Sequence, residues 1–282
     1  MSEVPNVTLN TGAEMPIIGF GVFQMSNDEA EASVLEAIKA GYRSIDTATS
    51  YGNEEAVGRA IARSGVPREE LFITSKLWLA DYSETKAKEG YERSLGKLGL
   101  EYLDLYLLHQ PFGDAFGAWR GLEAGYDEGK LKAIGISNFN TVQTYDLNFN
   151  ARIKPAVNQI ETNPFNQQVD AHEQLKELGI VHEGWAPFAE GQHDIFKNEI
   201  LGSIGEKYRK SIAQVILRWD IQRGVVSIPK STDPIRIKEN FDIFDFELTD
   251  DEMKQIAGLD QKLKMVDHND PAFLKFLYDR TL

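Results

Sequence analysis

LFITSKLWLADYSETKAKEGYERSLGKLGLEYLDLYLLH, residues 71–109, is the stretch whose reading decides the fold. Two short apolar runs, LFITSK from Leu71 and LDLYLLH from Leu103, flank SETKAKEGYERSLGKLG, which has helical spacing and closes on a glycine stop at Gly99. The runs are near-continuously apolar, as strands covered on both faces require. Outward from this unit the alternation continues. IIGF from Ile17, SID from Ser44, LKAIGISN from Leu131, AVNQI from Ala156, IVHEGW from Ile180 and VVSIPK from Val225 complete eight strand-like runs, and DEAEASVLEAIKAG from Asp28 reads as a helix between two of them. Eight strands separated by helices read as an α/β protein, a (β/α)8 TIM barrel. The length of 282 residues fits one such barrel, so residues 1–282 are expected to form a single domain. VTLNTGAEMP from Val7 reads as an N-terminal β-hairpin turning at Asn10-Thr11-Gly12. Extra C-terminal helices are expected near SIAQVILRWDIQ (from Ser211) and LTDDEMKQIAGLD (from Leu248). The tail from Lys262 to Leu282 lacks clear periodicity and is expected to pack across one barrel end.

Composition narrows the partners. A formal net charge of −14 argues against nucleic acid and against anionic membrane surfaces, both of which select basic faces. With no cysteine, disulfides and thiolate zinc sites are excluded. The polar start MSEVPNVTLN lacks an apolar signal core, and no apolar run is long enough to span a bilayer, so a cytoplasmic protein is expected. The five histidines suggest no metal-ligand set and no HExxH spacing occurs, so no metal is expected. GFGVFQ from Gly19 resembles the start of a dinucleotide fingerprint, but it lacks the third glycine and reads better as a tight turn after the first strand.

Four polar residues mark one end of the barrel: Asp46 and Tyr51 in GYRSIDTATSYGNE, Lys76 after FITS, and His109 after LDLYLL. Catalytic groups of such barrels come from the C-terminal ends of the strands. Hydride addition to a carbonyl leaves an alkoxide that needs a proton. Tyr51 is a fitting donor if its usual pKa, near ~10, is lowered. At an effective dielectric of about 20, charges ~4 Å apart interact by roughly 4 kcal/mol, so a neighbouring Lys76 ammonium is expected to win over burial and lower that pKa. Asp46 would hold Lys76, and His109 would hydrogen-bond the carbonyl oxygen. Taken singly, each residue has a bland reading as rim charge, turn cap, packed aromatic or core histidine; four of them following three strands at one barrel face do not. A barrel isomerase or lyase using Lys76 as a Schiff-base amine is a second reading.

These segments resemble the aldo-keto reductase family over nearly the full length. GYRSIDTATSYGNE, FITSKLW, LDLYLLHQP, GKLKAIGISNF and the IPKS…R…EN run match its motifs in order and spacing. The length and WAPFAEG are similar to the bacterial branch that includes 2,5-diketo-D-gluconate reductases and prostaglandin F synthase-like enzymes. The resemblance implies NADPH-dependent reduction of aldehydes or ketones, with a small-molecule carbonyl substrate and a monomeric enzyme. A cofactor-bound redox sensor with little turnover is the alternative within the same fold. It also implies that Ser137, Asn138 and Gln159 hold the nicotinamide carboxamide, that Trp185 stacks on the ring, and that Ala186, Pro187, Phe188, Ala189 and Gly191 wrap the pyrophosphate. Lys230, Ser231, Arg236, Glu239 and Asn240 would take the 2′-phosphate and adenine, with Arg236 and Asn240 on one helix face.

Two departures bear on selectivity. Asp233 places an acid beside the expected 2′-phosphate site, so NADPH preference is expected to be weak and NADH tolerated. Gln110 follows His109 where many relatives carry Trp, which with Phe23 and Trp78 as apolar walls favours small polar carbonyl compounds.

Overall fold

The computed structural model describes residues 4–279; the outermost residues of the expected domain, 1–3 and 280–282, lie outside it. The chain opens with the hairpin β1 (Asn6–Thr8) and β2 (Glu14–Pro16), and the turn between them uses Gly12 at φ 82°. Eight parallel strands follow: β3 (Phe20–Gly21), β4 (Ser44–Asp46), β5 (Phe72–Leu77), β6 (Leu105–Leu108), β7 (Ile134–Ser137), β8 (Val157–Glu161), β9 (Val181–Trp185) and β10 (Val226–Ser227). Each pairs with its neighbours in chain order. The row closes by a parallel bridge between Ile18 and Ser227, where the Gly19 N–H donates to the Ser227 carbonyl at 2.9 Å. A Cβ on Gly19 would stand 2.9 Å from Ser44 Oγ and 3.0 Å from Ile228 Cγ2, so the GFG glycines let the closing strand approach its neighbours. Gly21 lies in β3 and Gly19 immediately before it, not in a turn after it.

The helices are α1 (Asn27–Ala40), α2 (Glu54–Arg63), α3 (Glu84–Leu98), α4 (Ala115–Asp127), α5 (Thr141–Asn150), α6 (Val169–Glu177), α7 (Glu199–Tyr208), α8 (Ile212–Gln222), α9 (Pro234–Phe241), α10 (Asp250–Ala257) and α11 (Pro271–Asp279). Their ends follow local chemistry. Ser26 and Glu29 form a capping box that starts α1; Ser83 caps α3, which ends at Gly99 with φ 67°. Both helices expected near Ser211 and Leu248 are present, as α8 and α10. The helix that packs on α10 is the unanticipated α7, while α8 packs on β10 and α9 as part of the ring.

The hairpin plugs the bottom of the barrel. Leu9 and Met15 are buried against Phe72, Leu105, Val157 and Val226, the first residues of β5, β6, β8 and β10. The opposite, C-terminal end is therefore the open one. The tail crosses it: Met265 N–H donates to the Glu161 carboxylate at the end of β8, and His268 Nε2 lies 3.1 Å from Gln110 Oε1 after β6. The tail also contains α11, a helix opened by Pro271, where aperiodic chain was expected. No helix among the described residues is long and apolar enough to cross a membrane.

Candidate active site

Asp46 is the last residue of β4, Tyr51 lies in a 3-10 turn at Thr49–Tyr51, and His109 follows β6 directly. Lys76 and Gln159 were expected at strand ends but lie inside β5 and β8, with side chains buried. The four side chains converge. Lys76 Nζ donates to Asp46 Oδ1 at 2.5 Å, to the Thr47 carbonyl at 3.1 Å and to Tyr51 Oη at 3.2 Å. Lys76 is fully buried and Asp46 only 2 % exposed, so water does not screen this pair. The Tyr51 and His109 rings meet edge to face with centroids 5.7 Å apart. Phe23 packs on Tyr51 at 5.0 Å and Trp78 on His109 at 5.2 Å, placing the expected substrate walls beside the tetrad. Gln110 is buried, and its backbone exchanges two hydrogen bonds with the Tyr82 hydroxyl.

The electrostatics differ from expectation in one respect. The Tyr51 hydroxyl is held above its usual pKa, not below it: burial is the largest cause, Lys76 opposes it, and Asp46 and Glu183 side with burial. Lys76 does not prevail because its charge is already shared with Asp46. Burial disfavours the Lys76 ammonium too, yet Asp46 and Tyr51 outweigh that and raise its pKa above the usual lysine range. A Schiff-base role needs a neutral amine, so this environment counts against that second reading. Burial, and then the Lys76 charge, hold the His109 imidazole well below its usual pKa, leaving it neutral at pH 7. At neutral pH the site therefore presents a protonated phenol, a fixed ammonium and a neutral imidazole.

A hydrogen-bond chain ties these groups to the expected nicotinamide residues. Trp185 Nε1–H donates to Asn138 Oδ1 at 2.9 Å. Asn138 Nδ2 donates to the His109 carbonyl and to Ser137 Oγ, each at 3.1 Å. Ser137 Oγ–H donates to the Gln159 carbonyl at 2.9 Å, and Gln159 Nε2 donates to Asp46 Oδ2 at 2.9 Å. Gln159 Nε2 also donates to Glu183, a buried acid in β9 that the reading of the sequence passed over; a glutamate inside an otherwise strand-like apolar run was the available signal.

The loop after β9 is conformationally strained. Ala186, Ala189 and Glu190 take φ of 50°, 46° and 49°, which non-glycine residues adopt at a cost and mostly at functional sites. Pro187 and Ala189 are buried, Phe188 packs on Phe196, and Gly191 is exposed at φ 78°. Past β10, Lys230 is exposed and forms no ion pair among the described residues. Ser231 Oγ accepts the Asp233 N–H at 3.1 Å, and Asp233 caps α9 by accepting the Ile235 N–H at 2.8 Å. Arg236 is 76 % exposed with Asp233 at 3.9 Å, and Glu239 is exposed as well. Asn240, expected to share the Arg236 face, is buried instead, because it falls three residues after Ile237 on the inward seam of α9.

Comparison with known proteins agrees with this architecture. The aldo/keto reductase family model matches residues 17–261. A glyoxal reductase of Bacillus subtilis (strain 168) is 51% identical over 90% of this chain and 92% of its own length. Methylglyoxal reductase DkgA of Salmonella typhimurium is 43% identical over 93% of this chain and 95% of its own. An aldo-keto reductase of Bombyx mori, solved in complex with NADP, superposes with a TM-score of 0.91 at 38% identity, covering 96% of this chain and 97% of that one. A family match that runs through every barrel strand, together with relatives of this identity over nearly their whole length, makes the chain a member of the aldo/keto reductase family and an oxidoreductase dependent on a nicotinamide cofactor.

Proposed function

We propose that the protein reduces small polar aldehydes and ketones, glyoxal-type dicarbonyls among them, with NADPH preferred and NADH tolerated. The observation that carries this reading is the buried contact of Lys76 Nζ with both Asp46 at 2.5 Å and Tyr51 Oη at 3.2 Å. A bound nicotinamide supplies the hydride. Tyr51 Oη donates the proton to the carbonyl oxygen, and negative charge developing on the phenol oxygen is stabilised by Lys76 without reorganisation, because Asp46 and Thr47 already fix the ammonium. The neutral His109 orients the carbonyl oxygen as a hydrogen-bond partner. The names of the glyoxal and methylglyoxal reductases support the substrate class.

The residues present fit a dinucleotide. Gln159 commits both hydrogens of its amide to Asp46 and Glu183, leaving Oε1 as an acceptor suited to a carboxamide. The strained loop at residues 186–190 supplies backbone near the mouth, and Lys230 offers an exposed cation. The test is oxidation of NADPH and of NADH by purified protein with glyoxal, methylglyoxal and an unfunctionalised aldehyde. Reduction of the dicarbonyls, faster with NADPH, is expected; no oxidation with any carbonyl compound overturns the reading.

The wall after His109 gives a second check. Gln110 Oε1 pairs with His268, which stacks on Phe112 and meets Phe273 edge to face. Gln110→Trp replaces this polar pair with a ring. Burying about 60 Å² of ring at about 25 cal/mol per Å² contributes about 1.5 kcal/mol, roughly tenfold. kcat/KM for an aromatic aldehyde is expected to rise relative to that for a small polar one by that order. An unchanged ratio would show that Gln110 does not line the substrate pocket.

A further inference from the structure

We propose that Glu183 is a positioning residue of this active site: linked through the Gln159 amide to Asp46 and Lys76, its protonation state sets how readily Tyr51 releases its proton. The inference rests on the proposed role of Tyr51. Glu183 lies in the middle of β9, 1 % exposed, opposite Gln159 of β8 and Val226 of β10. Its Oε2 accepts from Gln159 Nε2 at 2.9 Å, and the same nitrogen donates to Asp46 Oδ2 at 2.9 Å. One amide group thus bridges two carboxylates. Glu183 Oε1 is buried with no hydrogen-bond partner among the described residues. An ionised carboxylate with one oxygen unpaired in a dry interior is costly, so the neutral acid is the favoured form.

The charged and titratable groups acting on Glu183 are Asp46 from β4 and Lys76 from β5, and Glu183 in turn bears on Tyr51; its β10 neighbour Val226 is apolar. Burial first, and then Asp46, push its pKa up to about 8. Below that pH the buried cluster holds one cation, Lys76, and one anion, Asp46. Above it a second anion appears, the cluster becomes net negative, and Tyr51 holds its proton more tightly. Reduction should therefore be full below about pH 8 and fall as pH rises through it, by about tenfold between pH 7 and pH 9. Glu183 also fixes Gln159. With an acceptor on each amide hydrogen, flipping that amide would press its oxygen against the Asp46 carboxylate.

The test compares native protein with Glu183→Gln, which keeps an acceptor for Gln159 but cannot ionise. Infrared spectroscopy of the cofactor-free native protein is expected to show a protonated carboxyl band at pH 7 that titrates away near pH 8 and is missing in E183Q. The kcat/KM of the native enzyme should fall with the same midpoint, while E183Q should lose less than about twofold over the same range. An identical fall in both proteins, or a Glu183 already ionised at pH 6, overturns the inference. Should E183Q not fold, a native kcat/KM that does not fall between pH 7 and pH 9 overturns it equally. Failure of the native protein to reduce any carbonyl compound would sink the role of Tyr51 instead; the infrared titration still reads Glu183 without turnover.

Discussion

Tyr51→Phe is expected to lower kcat for carbonyl reduction by about 10²–10⁴-fold, the usual worth of a positioned general acid. The substitution removes one oxygen and keeps the ring. Ring packing on Phe23 at 5.0 Å and against His109 at 5.7 Å survives. Lys76 loses one acceptor but retains Asp46 Oδ1 and the Thr47 carbonyl, so the buried ammonium is not stranded. Cofactor affinity, followed by quenching of tryptophan fluorescence, should stay within about threefold of native, since the residues expected to hold the cofactor are other ones. Loss of turnover with retained binding assigns the effect to proton transfer. Turnover close to native would remove Tyr51 from the mechanism.

Which parts of this site were legible follows from where each signal resides. The barrel was readable because its strands are buried on both faces: LDLYLLH and LFITSK carry their apolar run in the sequence itself, and glycine stops such as Gly99 separate them from helices. The tetrad was readable because each of its members breaks such a run or follows it closely. Closure was not, since the Ile18–Ser227 bridge joins chain ends that nothing local relates. Helix α7 follows the irregular loop at residues 186–198, with its Asn198 cap as the local mark, and α11 announces itself by Asp270, which accepts from the Ala272 N–H, and by Pro271 at its first position. The direction of the Tyr51 shift was misread for a physical reason. A pairwise argument counted Lys76 against burial, whereas the site also holds Asp46 and Glu183. The second acid reaches Tyr51 from β9, a strand far away in sequence. The sum of charges in a buried cluster is a property of the fold, not of any motif.

Replacing both Lys230 and Arg236 with Ala is expected to weaken NADPH binding by about a hundredfold and NADH binding by less than about threefold. A charge-assisted contact contributes roughly 1.5–3 kcal/mol, about tenfold or more in affinity. Both side chains are exposed, so the lower end applies to each. NADH lacks the 2′-phosphate and has little to lose. Asp233 adds a finer test. Its carboxylate does two jobs: Oδ1 caps α9 through the Ile235 N–H, and Oδ2 stands 3.9 Å from Arg236 Nε. Asp233→Asn keeps a good cap and removes the anion that competes for Arg236 and repels a phosphate. NADPH affinity should therefore rise about three- to tenfold in D233N while NADH affinity and thermal stability hardly change. The expectation that NADH is tolerated depends on this one acid. Calorimetric titration of both cofactors against native, K230A/R236A and D233N proteins separates the contributions. Equal weakening of both cofactors by the double substitution would place the 2′-phosphate elsewhere, and an unchanged NADPH affinity in D233N would show that the capped carboxylate is turned away from it.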